Sequence, residues 1–218
     1  MGQKVNPVNF RIGVVKTWKS RWFAKGADYR KLLFDDIKLR TALEEKFKLA
    51  GVHSVEIERL PKAMTVRIAV ARPGIVIGRG GSGIEDTKSF ILKTLKLSTK
   101  NGLSPKIDIV VEEVKSPELS ARLVAQRIAG ELERRMPHRR VITRTIERVM
   151  AQGAQGIRVR LGGRIEGAEI ARKEKYQEGS VPTQSLRVNL DYAEQKALLK
   201  RGYVGIKVWI HLPEERKN

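Results

Sequence analysis

The sequence predicts an α+β fold in two parts, and three observations lead to this class. The first part alternates helical and strand-like hydrophobic patterns in the order α-β-β-α-α-β. The second part has two helical patterns and then four strand-like runs, expected to pair mostly antiparallel, so it does not continue the alternation of a doubly wound sheet. Between them, Ser116-Pro117 is a plausible domain joint, because serine caps a helix and proline suits its first turn.

The charge balance points to the class of partner. The 218 residues contain 44 Lys and Arg against 24 Asp and Glu, a formal net charge of +20. Such an excess favours a polyanion, either nucleic acid or an anionic membrane surface. With 41% hydrophobic residues and no cysteine, the chain can fold but cannot form disulfides. No apolar run approaches the ~18 residues of a membrane span and no apolar leader is visible, so we expect a soluble, intracellular, polyanion-binding protein.

Residues 1–25 are predicted to form a basic N-terminal arm, because Asn6-Pro7 and Gly13 interrupt any long periodicity. Its cations are interleaved with aromatic side chains and include Lys4, Arg11, Lys16, Lys19 and Arg21. A helix is predicted next, from Ala27 to Ala50, with Gly51 as its stop.

The remainder of the first domain, residues 26–115, consists of short elements. Two alternating runs, Val55–Ile57 and Val66–Val70, are separated by Leu60-Pro61-Lys62 at a spacing suited to a hairpin. They are followed by Arg72–Ile77, a glycine cluster, a helix through about Leu97, a turn at Asn101-Gly102 and a strand from Ile107 to Val111.

The second domain is predicted over residues 116–212, with a short polar tail at 213–218. Its first helix starts at the Ser116-Pro117 joint and ends at Pro137, and its second helix spans about His138 to Gln152. The four strand-like runs are Ile157–Leu161, Ala168–Tyr176, Leu186–Leu190 and Val204–Ile210.

The glycine cluster that begins at Gly78 matches two templates of different function. Read as Gly-x-Gly-x-x-Gly up to Gly83, it resembles a dinucleotide-binding fingerprint. Read as Gly-x-x-Gly, it resembles the loop of a KH domain, in which a bare backbone admits nucleic-acid phosphates. Three observations favour the KH loop: the nearest suitable acid, Glu112, lies too far along the chain, strand–helix alternation stops, and Arg79 suits a long polyanion. A plain glycine turn without a ligand is the remaining alternative. The predicted loop residues are Gly78, Arg79, Gly80 and Gly81.

In the KH interpretation the loop has a specific chemistry. Glycine lets backbone N–H groups and the next helix N-terminus face a phosphodiester, and Arg79 adds a charge-assisted contact. Ile75, Ile77 and Ile84 would form an apolar floor for bases, although each is equally compatible with the hydrophobic core.

The second helix of the second domain is rich in arginine. Between Arg134 and Arg148 there are six arginines against one acid, Glu147, and three of them recur at i, i+4 and i+8. Like charges in such a row destabilise an isolated helix, and phosphates of a partner would reverse that effect. Arginine favours phosphate binding and base stacking, while a solvated basic face is the alternative. The predicted RNA contacts are Arg139, Arg140, Arg144 and Arg148.

Further cations lie on the polar phase of the late strands, namely Arg158, Arg160, Arg187 and Lys207, the last beside Trp209. A sheet face with these side chains would either hold RNA or pack beneath the two helices, and the sequence leaves both open.

Enzymatic motifs are missing from the sequence. His53, His138 and His211 show no metal-ligand spacing, and His138 precedes two arginines, which favours a solvated or phosphate-facing role. There is no nucleophile elbow, no zinc-protease motif and no Walker loop. We therefore predict no enzyme, no cofactor and no metal, and any strand separation would have to be passive.

Several segments together resemble the bacterial-type small-subunit ribosomal protein S-three family. They are MGQKVNP at 1–7, ARPGIVIGRGG at 71–81, PELSARLVAQRIAGELERR at 117–135, GAEIAR at 167–172 and GIKVWI at 205–210. The resemblance covers nearly the whole chain in family order. It implies a type II KH domain followed by a second α/β domain, in the head of the small ribosomal subunit in the cytoplasm.

The resemblance also implies partners. They are small-subunit ribosomal RNA, for which the basic arm is a candidate contact, messenger RNA at the channel through which it enters, and neighbouring head proteins such as S-ten and S-fourteen, with no membrane. Arg139 and Arg140 match the family's pair of basic residues linked to unwinding of messenger. Two positions depart from the family: Thr143 replaces a third basic residue, with Arg144 beside it, and Arg79-Gly80 stands where two lysines are frequent.

Two other functions compete with a ribosomal role. One is a free KH-domain factor for regulation or antitermination, and the other is a nucleotide-dependent enzyme. The basic arm favours the ribosomal role over a free factor, because proteins built into an assembly use such arms to penetrate RNA, whereas a free factor would risk non-specific binding.

Overall fold

A computed structural model of the chain describes residues 4–61, 63–95 and 106–213. The chain divides into two compact units. The first unit is Trp18–Lys115, and the second unit combines Met1–Thr17 with Ser116–Asn218. The predicted arm, residues 1–25, is therefore shared between the two units and does not form a separate segment.

The elements of the first half of the chain alternate as the hydrophobic pattern predicts. In chain order they are α1 (Pro7–Phe10), β1 (Ser20–Arg21), α2 (Gly26–Lys46), β2 (Val52–Arg59), β3 (Ala63–Val70), α3 (Pro73–Ile77), α4 (Ser82–Thr94) and β4 (Lys106–Glu113). From α2 to β4 this is the order α-β-β-α-α-β, so the predicted order is confirmed. The helix predicted to reach Ala50 ends at Lys46, and a 3-10 turn, Lys48–Ala50, continues to Gly51.

The first unit contains a four-stranded sheet in the order β1-β2-β3-β4. β2 and β3 are antiparallel, whereas β1 and β4 each run parallel to their neighbour. Every second residue of β3 is buried, from Met64 to Val70, and Leu39 and Leu43 of α2 and Ile91 of α4 belong to the same core. The helices therefore cover one face of this sheet.

The second unit contains two helices and an antiparallel four-stranded sheet. Its elements are α5 (Ala121–Glu133), α6 (His138–Ala151), β5 (Gly156–Gly163), β6 (Arg172–Gly179), β7 (Leu190–Leu199) and β8 (Gly202–His211). The strand order is β6-β5-β8-β7, with every pair antiparallel. Ile128 of α5 and Ile142 of α6 lie in one core with Val159 and Val208 of the sheet. The α+β class predicted from the sequence is confirmed.

Two of the predicted strands are misplaced. The run Leu186–Leu190 was predicted as a strand, but β7 begins only at Leu190 and continues to Leu199. The run Ala168–Tyr176 begins late, because a 3-10 turn occupies Ile165–Gly167 and β6 starts at Arg172.

Arg11 explains why the segment before β7 is a loop. Its side chain is completely buried and donates hydrogen bonds at 2.7–3.2 Å to the backbone carbonyls of Pro7, Pro182, Thr183, Ser185 and Val188. The four carbonyls from Pro182 to Val188 converge on one guanidinium and so are directed away from a strand ladder. Arg11 was predicted to contact RNA, and the structure gives it a different role: it anchors the N-terminal segment to the second unit.

Some predictions fall outside the described residues. They are the turn at Asn101-Gly102, Lys62 in the hairpin connection, and the polar tail beyond Pro213. Within the described ranges, no helix has both the length and the apolarity to cross a membrane.

Candidate nucleic-acid interface

The glycine loop joins two helices of the first unit. α3 ends at Ile77, Gly78–Gly81 form a tight turn, and α4 begins at Ser82. A dinucleotide fingerprint requires a strand directly before the glycines. Because a helix precedes them here, the structural context excludes that interpretation.

The loop can be built only with glycine at its first position. Gly78 has φ 71° and ψ −178°, a conformation that is essentially confined to glycine, and a Cβ there would lie 2.9 Å from the backbone nitrogen of Gly83. Within the turn the Ser82 hydroxyl donates to the Arg79 carbonyl at 3.0 Å. The Arg79 side chain is exposed, so the loop offers bare backbone and one guanidinium on the same surface.

The apolar residues beside the loop are not all part of the core. Val76 is fully buried, whereas Ile75 and Ile77 are 49% and 36% exposed and Ile84 is half-buried. The exposure of Ile75 and Ile77 favours the predicted apolar floor over a purely structural role.

The arginine-rich helix, α6, has one buried face and one basic face. Its buried residues are His138, Val141, Ile142, Thr145, Ile146 and Val149. Arg140 and Arg144 are exposed and Arg148 is half-buried. We call these three residues the arginine row. Among the described residues, none of the three has a carboxylate partner within ion-pair distance, so their charges are available to a ligand.

Arg139 faces a different direction from the arginine row. It interacts with Tyr176 and Glu174 of β6. Four and eight residues further along the same line of the helix come Thr143 and Glu147, so this line does not form a second cationic row.

His138 fixes the start of α6. Its Nδ1 lies 2.7 Å from Glu166 Oε1 and its Nε2 lies 2.9 Å from Glu174 Oε2, and the ring is 6% exposed. The predicted solvated or phosphate-facing role is therefore wrong, because both ring nitrogens contact carboxylates of the same unit. Glu166 has φ 55°, which is unusual for a residue other than glycine, and the sequence carries no signal for it.

Glu174 is held by two side chains, those of His138 and Tyr176. Tyr176 donates its hydroxyl hydrogen to Glu174 Oε2 at 2.7 Å. This hydrogen bond, assisted by His138, lowers the pKa of Glu174 against the opposing effect of burial. Burial and the same hydrogen bond raise the pKa of Tyr176. A carboxylate and a neutral phenol therefore hold the base of the arginine-rich helix at neutral pH.

The late-strand cations lie on the side of the second sheet away from the helices. Inward-facing residues such as Val159 and Val208 contact α5 and α6, so Arg158, Arg160 and Lys207 face outward. Trp209 lies on the same outer face and is half-buried. The alternative in which these residues pack beneath the helices is excluded. Arg187 is exposed in the loop before β7.

The other predicted arm residues differ in environment. Lys4 and Lys19 are exposed and Lys16 is half-buried. Arg21 lies in β1 and donates to Glu58 Oε1 at 3.1 Å, so its charge is partly compensated.

A buried acid of the first unit was not predicted. The Asp36 carboxylate is 0% exposed and accepts hydrogen bonds from Ser20 and Trp22, both at 2.8 Å, and from Arg59 at 2.6 and 2.9 Å. It joins α2 to residues before it and to the end of β2. The sequence around it, Leu33-Phe34-Asp35-Asp36-Ile37, gave no sign that this acid would be buried. Across the described ranges, no three histidine or acidic residues are grouped as metal ligands.

Two family models match the chain. The model described as "KH domain" matches residues 38–119, and the model described as "Ribosomal protein S3, C-terminal domain" matches residues 128–210. The first match contains the glycine loop, and the second contains the arginine row and the outer face of the second sheet.

Curated relatives resemble the chain over almost its full length. The small ribosomal subunit protein uS3 of Persephonella marina is 46% identical over 211 residues, which is 97% of this chain and 90% of the relative. The protein of the same name from Leuconostoc mesenteroides is 43% identical, with 100% of both chains covered. That from Hydrogenovibrio crunogenus is 44% identical over 99% of this chain and 91% of its own length.

Proposed function

Because the chain belongs to the family of small ribosomal subunit protein uS3, we propose that it is a structural component of the small ribosomal subunit, in the cytoplasm, and binds RNA during translation. The observation that carries this proposal is the arginine row. Three guanidiniums on one helix face without carboxylate partners within the described structure would repel one another unless an anion lies against them. Ribosomal RNA and messenger RNA supply such an anion.

Two surfaces of the first unit support binding to the subunit. The glycine loop, Gly78–Gly81, presents backbone N–H groups and Arg79 to an RNA phosphate, beside the exposed Ile75 and Ile77. On α2, an exposed apolar stripe fits a neighbouring head protein, such as S-ten or S-fourteen; it consists of Tyr29, Leu33, Phe34 and Ile37.

We place messenger RNA on the arginine row at the channel where the messenger enters. Arginine binds phosphate by a planar fork, so Arg140, Arg144 and Arg148 hold one strand while translocation pulls it. Strand separation is then passive, because the energy comes from translocation and the helix only resists re-pairing. Arg139 acts from the flank of the row, close to Tyr176 and Glu174.

The two competing functions have less support. A free KH-domain factor needs only the first unit, whereas the relatives match this chain from end to end and a ribosomal family model matches the second unit. A nucleotide-dependent enzyme would need the dinucleotide loop that the helix before Gly78 excludes.

The first test measures whether the chain is bound to small ribosomal subunits in the cell. A tagged copy expressed in bacteria should sediment with small subunits through a sucrose gradient at high salt. Its presence only in the ribosome-free fraction would contradict a structural role. Salt is the essential variable, because weak electrostatic binding is lost as salt rises.

The second test separates messenger binding from assembly. Subunits with Arg140→Ala and Arg144→Ala together should assemble normally but translate messages with a strong hairpin more slowly than unstructured messages. The matched control is Arg30→Ala with Lys31→Ala, which removes two exposed cations from α2. Equal translation of both messages by the row variant would refute the role of the row.

A further inference from the structure

The outer face of the second sheet has a regular arrangement that no family role above uses. We define this outer face by three cross-strand rows, in the order β6, β5, β8, β7. The rows are Gln177, Arg158, Trp209 and Tyr192; Lys175, Arg160, Lys207 and Glu194; and Lys173, Gly162, Gly205 and Lys196. One row is aromatic at one end, the next is cationic, and the third has two glycines between two lysines.

The aromatic pair forms a platform. The ring centroids of Tyr192 and Trp209 are 5.0 Å apart with an interplanar angle of 38°, and the Arg158 guanidinium lies 6.0 Å from the Trp209 ring. Both rings are half-buried, so they are held by neighbours and still have accessible surface. Aromatic and guanidinium planes are the groups on which unpaired bases stack.

The charge on this face is strongly one-sided. Six cations stand against one acid, Glu194, and that acid is engaged within the face. It accepts hydrogen bonds from the Tyr192 hydroxyl and from Lys207, the latter at 2.9 Å. Glu194 therefore fixes the position of the platform and of one cation. The cations of the face are Arg158, Arg160, Lys173, Lys175, Lys196 and Lys207.

The sheet of the first unit provides an internal comparison. It too has helices on one face, and its outer face has the acids Glu56, Glu58, Asp108 and Glu112. Of the outward-facing residues of β2, β3 and β4 in those registers, two are basic, Arg67 and Lys106, and Lys106 pairs with Asp108 at 3.7 Å. A basic outer face is therefore not a general consequence of the chain's net charge, and its restriction to the second sheet indicates a ligand there.

The two glycines of the third row are not required by the fold. A Cβ on Gly162 would meet only the Lys173 side chain at 4.0 Å, and one on Gly205 would meet only a backbone oxygen at 3.7 Å, both ordinary contacts. Glycine within a strand weakens the sheet, and it often marks a place where a ligand or another backbone approaches closely. Here the paired glycines leave an open notch between Lys173 and Lys196.

We propose that this outer face binds single-stranded RNA, with a base stacked on the Trp209–Tyr192 platform and the sugar-phosphate backbone running over the cationic row towards the glycine notch. The proposal deepens the RNA-binding function proposed above and rests on it. A duplex does not fit, because its bases are paired and stacked and cannot offer a face to Trp209. A protein partner fits the three rows less well, because apart from the two rings they contain no large apolar side chain; the exposed Leu198 and Tyr203 lie one cross-strand pair beyond them.

The test uses the full chain with 5-fluorotryptophan at its three Trp positions, assigned by single substitutions. Arg140, Arg144 and Arg148 are replaced by Gln so that the arginine row does not dominate binding. A single-stranded RNA of eight nucleotides should shift the Trp209 fluorine resonance and leave that of Trp22, whose indole N–H donates to the buried Asp36, unchanged. The same sequence as a duplex should shift Trp209 much less.

Affinity measurements complete the test. Loss of one base stack should weaken binding of the single strand about 5- to 150-fold in Trp209→Leu, and Trp209→Phe, which keeps an aromatic plane, should bind more tightly than Trp209→Leu. Arg160→Ala keeps the aromatic platform. If Arg160 contacts one phosphate, this variant should lower the slope of log affinity against log salt concentration by about 0.7.

Distinct outcomes separate this proposal from the function on which it rests. If the chain binds small-subunit ribosomal RNA but Trp209 neither shifts nor matters for affinity, the outer-face site is refuted and the ribosomal function stands. Equal shifts with single strand and duplex would also refute it. Failure of the unsubstituted chain to bind ribosomal RNA would refute both.

Discussion

Asp36 and Arg11 are buried charges of opposite sign, and each fixes part of the first 25 residues to a different unit. The Asp36 carboxylate accepts hydrogen bonds from Ser20 and Trp22, while the Arg11 guanidinium donates hydrogen bonds to five backbone carbonyls of the second unit. A buried charge is tolerated only when hydrogen bonds replace its hydration. Hydrophobic periodicity assigns charged residues to the solvent side, so neither role was predictable from the sequence.

Asp36→Ala should lower the free energy of unfolding by about 3–5 kcal/mol, because Arg59, which is mostly buried, loses its partner. Urea denaturation followed by circular dichroism measures the change. The control is Glu45→Ala, an exposed acid of the same helix, which should change stability by less than about 0.5 kcal/mol. Equal stability of the two variants would show that the Asp36 contacts contribute nothing.

Tyr176→Phe should make the stability of the second unit less dependent on acid pH. The pKa of Glu174 is lowered in the folded protein, chiefly by Tyr176, so this stabilisation exists above the unfolded pKa and is lost as the pH falls through the folded one. The variant should therefore be less stable by about 1 kcal/mol at pH 7, and the difference should shrink as the pH falls through the lowered pKa of Glu174.

Urea denaturation at pH 7 and pH 3 measures this difference. Tyr203→Phe removes an exposed hydroxyl and serves as the control, with no effect at either pH. A Tyr176→Phe penalty that is the same at both pH values would show that Glu174 is not the partner that matters.

At the scale of elements, regular periodicity was predictive and local turns were not. β3 buries every second residue, and its alternation from Met64 to Val70 was visible in the sequence. β7 was missed, because residues 191–199 place Asp, Glu, Gln and Lys among alanines and leucines, a composition typical of helices. The positions of the glycine loop and of the arginine row on α6 could be predicted, because glycine spacing and arginine spacing are visible in the sequence.

The composition of the outer face of the second sheet could not be predicted, because it depends on how four strands pair in register.

The glycine loop provides a prediction at this scale. Gly78→Ala should destabilise the first unit by about 1–3 kcal/mol from backbone strain alone, and the Cβ contact at 2.9 Å adds to that cost. Gly74→Ala is the matched control, because that glycine lies in α3 at a negative φ with open space around it, and alanine there should be neutral or slightly stabilising. Thermal denaturation compares them, and an equal midpoint for both variants would contradict the strained geometry of the loop.

At the scale of the whole molecule, the net charge of +20 is distributed unevenly over faces with different surroundings. Cations without carboxylate partners in the described structure form the arginine row, and further cations gather on the outer face of the second sheet. Acids gather on the outer face of the first sheet. One cation, Arg11, is completely buried and stabilises the fold, so it is not available to a ligand. We expect RNA to lie on the basic faces and on the glycine loop, and to avoid the acidic face.

Cross-linking inside the assembled particle tests this claim most directly. Small subunits purified from cells that contain the chain are irradiated with ultraviolet light, digested, and analysed by mass spectrometry for peptides joined to nucleotides. We predict cross-links in the peptides that contain Gly78–Gly81, the arginine row and Trp209. Cross-links confined to the β2 and β4 peptides with the acidic face, or absence of the chain from the purified subunits, would contradict the account.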